Sequence, residues 1–167
     1  MGGSLELESE YGKGSSFYFE LLLPCEQEQP EDSEKTDPED IDEQAVFTNK
    51  KILIAEDNSI NMHYMQAAIA MFSKDTRIIK ARDGKEAYHL YREHQPDLIL
   101  MDIRMPHVDG YHATAMIRQH DRQIPIIAMT AKAFEEDKEK CLAAGMNEYI
   151  TKPVSLEQLK EALVKHL

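Results

Sequence analysis

The stretch Asp97-Leu98-Ile99-Leu100-Met101-Asp102 constrains this chain most, because an apolar run ends on a carboxylate. The run is too short for a helix and lies between Gln95-Pro96 and Met105-Pro106, with Asp109-Gly110 beyond, so it reads as a buried strand. An unpaired ion at the end of a buried strand costs on the order of several kcal/mol, so Asp102 needs a partner or a purpose. Three further runs repeat the pattern. Lys50-Lys51-Ile52-Leu53-Ile54-Ala55 ends on Glu56-Asp57, Pro125-Ile126-Ile127-Ala128-Met129 ends on Thr130, and Glu148-Tyr149-Ile150-Thr151 ends on Lys152-Pro153. If the four strands are parallel, these polar ends meet at one edge of one sheet. Open α/β sheets hold their ligands at such an edge.

From residue 50 onward, strand patterns alternate with helical ones. The spacing predicts strands at 51–55, near 77–82, and at 97–102, 125–129 and 148–151. It predicts helices over about 59–72, from Asp83-Gly84 to about 94, over about 110–120 and 134–144, and from Ser155 to the end. Asn58 or Ser59 caps the first helix, with Ile60, Tyr64, Ala67/Ala68 and Met71 as its expected buried stripe. Gly145 stops the fourth helix, and Ser155-Leu156-Glu157-Gln158 fits a capping box opening the fifth. Met62, Met65, Met71, Met101, Met116 and Met129 are expected in or near the core. Five β/α units in about 119 residues imply an α/β fold, a doubly wound five-stranded parallel sheet with helices on both faces.

The residues before this domain differ in character. Fourteen of the 31 acidic residues but two of the 19 basic ones fall in residues 1–48, so this stretch carries the whole net charge of −12. The rest is neutral and lacks a basic stripe for a phosphate backbone, so nucleic-acid binding has no support. Leu5 and Leu7 alternate with Glu6 and Glu8. After a turn at Gly12-Lys13-Gly14-Ser15, Phe17, Phe19, Leu21 and Leu23 alternate in turn, which predicts a β-hairpin over 4–23. The glycine-rich turn is not between a strand and a helix, so it is no phosphate loop. Residues 24–45 hold ten acids, one lysine and three prolines, and a disordered acidic linker is expected over 24–48. Cys25 and Cys141 have no metal spacing, nor have the seven histidines. No run of 18 apolar residues is present, so no membrane contact is expected of this segment.

The polar strand ends carry the chemistry. Glu56, Asp57, Asp102, Thr130 and Lys152 are expected around one pocket. Three carboxylates at one edge repel each other, and a divalent cation relieves them. Hard oxygen ligands favour Mg²⁺, which takes one or two carboxylates, waters and a phosphate oxygen. Lys152 adds a point charge of the kind that holds phosphate, and Thr130 adds a hydroxyl. This is an inventory for moving a phosphoryl group onto a carboxylate, where positioning and charge neutralisation carry most of the catalysis.

Residues 49–167 resemble, over essentially their whole length, the receiver domain of two-component signalling proteins. The motifs are Ile54-Ala55-Glu56-Asp57-Asn58, Met101-Asp102-Ile103-Arg104-Met105-Pro106 with Asp109-Gly110, Ala128-Met129-Thr130-Ala131, and Gly145-Met146-Asn147-Glu148-Tyr149-Ile150-Thr151-Lys152-Pro153. The resemblance implies a flavodoxin-like sheet of order 2-1-3-4-5. It implies Asp102 as phosphoacceptor from a phosphohistidine. Glu56, Asp57, Asp102 and the backbone carbonyl of Arg104 would hold Mg²⁺, and Lys152 would bridge to the phosphoryl oxygens. Thr130 and Tyr149 would be the switch pair, and Lys152-Pro153 a cis peptide. The implied partners are a histidine-kinase dimerisation domain and a histidine phosphotransfer domain, met through the 134–167 face and the site edge. Residues 1–23, from Met1-Gly2-Gly3-Ser4-Leu5-Glu6-Leu7-Glu8-Ser9 to Gly12-Lys13-Gly14-Ser15-Ser16-Phe17, are similar to the closing hairpin of a histidine-kinase ATP-binding domain. The start then reads as a cut into a longer protein, and the whole as part of a hybrid sensor histidine kinase. A cytoplasmic location follows for this segment, whether or not its parent is anchored in the inner membrane.

Blander readings stand beside these. Asp102 could cap a loop, Glu56-Asp57 could be a solvated turn, Lys152 a surface lysine, Thr130 a β-branched strand residue and Tyr149 a core aromatic. A Mg²⁺-dependent phosphohydrolase would use a second aspartate two residues after its nucleophile, where this chain has Arg104. An FMN module would need a hydroxyl-rich loop after strand one, where this chain has Glu56-Asp57. A receiver that is never phosphorylated would serve as an interaction module. Arg104 and Lys132 lie two residues beyond Asp102 and Thr130, positions that by the resemblance line the entry to the acyl phosphate, and they are expected to tune how fast water reaches it.

Overall fold

Runs rich in isoleucine, leucine and alanine form strands because both of their faces can be buried, as a parallel sheet covered by helices requires. In the computed structural model these runs are β3 (Lys51–Ala55), β4 (Arg77–Ala81), β5 (Leu98–Asp102), β6 (Ile126–Thr130) and β7 (Glu148–Thr151). All pair in parallel, in the order β4-β3-β5-β6-β7, which is the 2-1-3-4-5 order of a flavodoxin-like sheet. The connections are α1 (Ser59–Phe72), α2 (Gly84–His94), α3 (Gly110–Arg118), α4 (Glu135–Ala143) and, after β7, α5 (Leu156–His166). The structure describes residues 5–10, 14–19, 46–131 and 135–167; the side chains described begin at 46 and leave out 132–137. The chain divides into two units, Met1–Pro38 and Glu39–Leu167.

Strand residues alternate between two cores. Leu53, Ile99, Met101, Ile126 and Ala128 face Ala87 and Tyr91 of α2, Ala113 and Ile117 of α3, and Cys141 of α4. Ile52, Ile54, Leu98, Leu100, Ile127 and Met129 face Met62, Met65, Ala68 and Ile69 of α1, and Leu159, Ala162 and Leu163 of α5. The caps follow local chemistry. The side chains of Asn58, Asp83, Asp109 and Ser155 each accept backbone N–H bonds at a helix start. At the end of α4, Gly145 has φ +93°, and Met146 N donates to Cys141 O while Gly145 N donates to Leu142 O, a Schellman closure.

Two expectations change. The buried stripe of α1 is Met62, Met65, Ala68 and Ile69, whereas Ile60 is 77% exposed, Met71 72% and Tyr64 42%. Ala67 is exposed as well. The helix is apolar nearly all round, so two stripes compete, and the periodicity alone does not say which one meets the sheet. Met71 therefore leaves the list of core methionines. Second, Phe47 lies within the expected linker but is 1% exposed, stacked on Phe72 at 5.8 Å and packed in the α1–α5 core. The domain therefore begins by Val46. Residues 24–45 of the expected linker lie outside the described residues. The predicted hairpin is present as β1 (Leu5–Glu10) and β2 (Gly14–Phe19), antiparallel, with Leu5 opposite Phe19 and Leu7 opposite Phe17.

Candidate functional site

Register brings the polar strand ends together. Ala55 pairs with Met101, Asp102 with Met129 and Thr130 with Thr151, so β3, β5, β6 and β7 finish at one edge. Glu56 N donates to Ala81 O, which fixes the first residue past β3. The loop after β5 is pressed against the strand end. Gly110 N donates to Ile103 O, and a Cβ on Gly110 would lie 2.3 Å from the Asp102 carbonyl oxygen. No side chain fits there, so glycine is what lets α3 start directly beneath the site. Lys152 N donates to Thr130 O at 2.7 Å, and the Lys152–Pro153 bond is cis.

Lys152 lies between two carboxylates. Its Nζ donates to Glu56 Oε2 at 2.5 Å and to Asp102 Oδ2 at 2.6 Å. The Glu56 side chain is 1% exposed and that of Asp102 8%. Burial pulls the Lys152 pKa down, but hydrogen bonds to Asp102 and Glu56, and their charges, outweigh it and hold the ammonium above its ordinary value. The other oxygens are engaged by neutral donors. Asp102 Oδ1 accepts from Arg104 N at 3.1 Å, while Glu56 Oε1 accepts from Asn61 Nδ2 at 2.9 Å and more weakly from Asn58 N at 3.4 Å. Asp57 is exposed beside this pair.

The donor set fits a hard cation. Glu56, Asp57 and Asp102 each offer one oxygen, and the three oxygens lie within 4.8 Å of one another. Next to them is a cleft of about 590 Å³ lined by Glu56, Ile60, Asn61, Tyr64, Lys152 and Val154 among others. Tyr64 OH donates to Val154 O at 2.7 Å, tying α1 to the loop after β7.

The structure thus brings Glu56, Asp57, Asp102, Thr130 and Lys152 to one edge. Thr130 is buried at the end of β6. Tyr149 is half-buried on β7 beside the α2–α4 core, with Lys138 Nζ 6.0 Å from its ring centroid. Arg104 is exposed next to Asp102, while Lys132 lies outside the described residues. Sequence reasoning missed Asn61 and the exposed residues Ile60 and Tyr64. The available signal was an asparagine on the first turn after the Asn58 cap, at a position where nothing else calls for an amide.

Comparison with known proteins agrees with this geometry. Residues 52–164 match the family model of the response regulator receiver domain. The chain is 41% identical over 120 residues to the polar-differentiation response regulator DivK of Brucella anthropi, covering 71% of this chain and 96% of that protein. The receiver domain of sensor histidine kinase PA1611 from Pseudomonas aeruginosa, solved with a magnesium ion in its active site cleft, is 38% identical. It superposes with a TM-score of 0.65 over 71% of this chain and 98% of that one. The Saccharomyces cerevisiae response regulator receiver domain of Ssk1, solved with the histidine phosphotransfer protein Ypd1, is 30% identical with a TM-score of 0.67, covering 72% and 90%. With its own sheet order, site edge and matched length, this chain belongs to the response regulator receiver domain family.

Proposed function

We propose that this domain is a phosphorelay receiver in which Asp102 accepts a phosphoryl group from a phosphohistidine, with Mg²⁺ held by Glu56, Asp57, Asp102 and the Arg104 carbonyl. The observation that carries the reading is Lys152 held within 2.6 Å of both Glu56 and Asp102, next to a third carboxylate. When bound, the cation supplies charge neutralisation for the phosphoryl oxygens. The chain supplies the rest. An Asp102 oxygen attacks phosphorus as the bond from phosphorus to the histidine nitrogen breaks, and the leaving imidazole takes up a proton. Asp102 then ceases to be an anion, and two negative charges arrive on the phosphoryl oxygens. Lys152 follows the charge, trading the carboxylate for a phosphoryl oxygen. Thr130 and Tyr149 report the change along β6 and β7, and the α4–β7–α5 face (134–167) passes it to a partner.

The donor needs a landing surface. The exposed stripe of α1, with Ile60 and Tyr64 at the cleft mouth and Met71 at the far end, suits a helical domain presenting its histidine to Asp102. Residues 1–23 would be the closing hairpin of a histidine-kinase ATP-binding domain, and residues 24–45 an acidic linker, which makes the parent a hybrid sensor kinase. The pairing of 5–10 with 14–19 supports this, as does the likeness to a receiver domain from a sensor histidine kinase.

Intact mass after incubation with a small phosphodonor, with and without Mg²⁺, tests the reading. One added phosphoryl group is expected on the native chain with Mg²⁺, and none on Asp102→Asn. No adduct on the native chain, even with a histidine-phosphorylated donor protein, would leave an interaction module instead.

A further inference from the structure

Glu56 is almost wholly buried among like charges, and the cation it is paired with has another task. As Lys152 shifts toward the phosphoryl group, its bond to Glu56 Oε2 is weakened while the Asp57 carboxylate stays close. A bound cation would take part of that charge, and a fixed donor must still keep the Glu56 carboxylate aimed at it. Asn58 is poorly placed for it. Its N–H is 3.4 Å away, long for a hydrogen bond, and its side chain already accepts from Ile60 N at 2.8 Å and Asn61 N at 3.3 Å. Among the described residues the remaining donor is the Asn61 amide at 2.9 Å from Oε1.

We infer that Asn61 is a positioning residue that keeps Glu56 aimed at the cation through the whole transfer. Its donor is an uncharged amide, so it is not drawn off by the incoming phosphoryl charge as Lys152 is. An ionised Glu56 offers acceptors and no donor, so the amide nitrogen must face it and the assignment of the Asn61 side chain is unambiguous. Asn61 is itself held. It sits on the first turn of α1, where the Asn58 cap accepts its backbone N–H, and it lines the cleft beside Ile60 and Tyr64. A partner of this kind behind a ligating carboxylate sets how well the ligand is presented, and its loss typically weakens metal binding by about 10–100-fold.

This inference rests on the phosphoacceptor reading, and the test separates the two. Mn²⁺ binding is followed by the resonance of the free ion on the native chain, Asn61→Leu, Asn61→Ala, Glu56→Ala and Glu56→Ala/Asn61→Leu. Alanine favours the helix, so α1 folds even where leucine crowds the cleft. Asn61→Leu and Asn61→Ala are each expected to weaken Mn²⁺ binding by roughly tenfold. The phosphorylation rate is expected to fall with cation affinity at limiting Mg²⁺ and to recover in part as Mg²⁺ is raised, as expected where the loss is mainly one of cation binding. In the Glu56→Ala background Asn61→Leu is expected to change nothing, since Asn61 acts through Glu56. An equal weakening in both backgrounds, or no weakening while the native chain binds Mn²⁺ and takes a phosphoryl group, overturns the positioning role alone. A native chain that binds no Mn²⁺ and takes no phosphoryl group overturns both readings.

Discussion

Lys152 and Arg118 are both half-buried cations of this domain, at opposite ends of the same sheet, and they are held in opposite ways. Arg118 closes α3 at the edge where β6 and β7 begin. Its guanidinium donates to Gly145 O at 2.7 Å, Asp121 O at 3.1 Å, Ile124 O at 2.8 Å and Asn147 Oδ1 at 2.9 Å. Asn147 Oδ1 also accepts from Ile126 N, so the fork ties two loops to the start of β6. These acceptors are neutral and lie away from the candidate site. Lys152 donates to two carboxylates instead, each of which has chemistry of its own. A rigid fork saturated by carbonyls is a joint. A point charge on a flexible stem, shared between two anions, can be drawn away by a third. The acceptors, more than the burial, tell a structural cation from a working one.

The largest expected effect is a crossed pair of losses. Lys152→Met removes the charge that meets the incoming phosphoryl group, and phosphoryl transfer is expected to fall by roughly 10²–10³-fold, as when an electrostatic donor is lost from a catalytic site. Arg118→Met leaves several loop acceptors without a donor, at a cost on the order of 3 kcal/mol, or a melting point lower by roughly 10 °C. Its transfer rate in the folded state is expected to stay near native. Thermal melts and mass-resolved phosphorylation on both variants check this. An Arg118 variant that melts normally but transfers slowly would reverse the comparison.

Swapping the cation types sharpens it. Lys152→Arg keeps the charge and is bulkier and flatter, so it cannot sit as a compact point between Glu56 and Asp102. Transfer is expected to recover only part of what methionine loses, remaining about tenfold below native. Full recovery would mean that charge alone matters at this edge. Arg118→Lys offers three donors on one nitrogen where the fork spreads its donors over four separate acceptors, and roughly half of the stability loss is expected to remain.

Gly145 gives a smaller effect confined to the joint. Its φ of +93° disfavours any Cβ, and an added Cβ would meet Arg118 Cγ at 3.1 Å. Gly145→Ala is expected to cost about 1–2 kcal/mol, seen as a melt lower by several degrees with Mn²⁺ affinity unchanged. A shift in cation affinity would show that the two ends of the sheet are coupled.

Which of these features could be read from the chain follows the same division. The strands were legible because apolar runs bounded by breakers leave few alternatives, and Asp102 was legible because a carboxylate at the end of such a run is costly without a use. The caps at Asn58 and Ser155 were legible because each has a local reason to precede a helix, whereas Asp109, a cap in the structure, read only as a breaker. Arg118 was not legible, because it acts through partners far off in sequence, and Asn61, for which a first-turn amide is the one signal, acts on Glu56 by side-chain aim that the sequence does not display. The stripe of α1 was misjudged for a third reason. A helix with Ile60, Met62, Tyr64, Met65, Ile69 and Met71 is apolar on two sides, and only the sheet decides which one is buried.

The smallest effects lie at the extremes of pH, and the two cations separate there too. Lys152 has a pKa above its ordinary 10.5 in the folded domain, because its bonds to Asp102 and Glu56 outweigh the cost of burial. A group whose folded pKa is raised contributes stability that is complete below the unfolded pKa and is lost as pH rises through the folded one. Native protein and Lys152→Met should therefore run parallel in stability from neutrality to about pH 10 and converge above it, as the native loses what the variant never had. Asp121 differs in sign. Burial pushes its carboxyl up, but the N–H groups of Gln123 and Ile124, the Arg118 charge and the Tyr91 hydroxyl outweigh this and hold it below the ordinary range. Its contribution is present above the unfolded pKa and is lost as pH falls through the folded one. Asp121→Asn should then flatten the acid limb of the stability curve below about pH 4, and it should also soften the alkaline limb, because Tyr91 loses the carboxylate that, together with burial, holds its hydroxyl above the ordinary range. Melting curves across pH on both variants decide it. If Asp121→Asn left the acid limb unchanged, or Lys152→Met failed to converge with the native protein above about pH 10, the opposite signs assigned to the two ends of the sheet would be overturned.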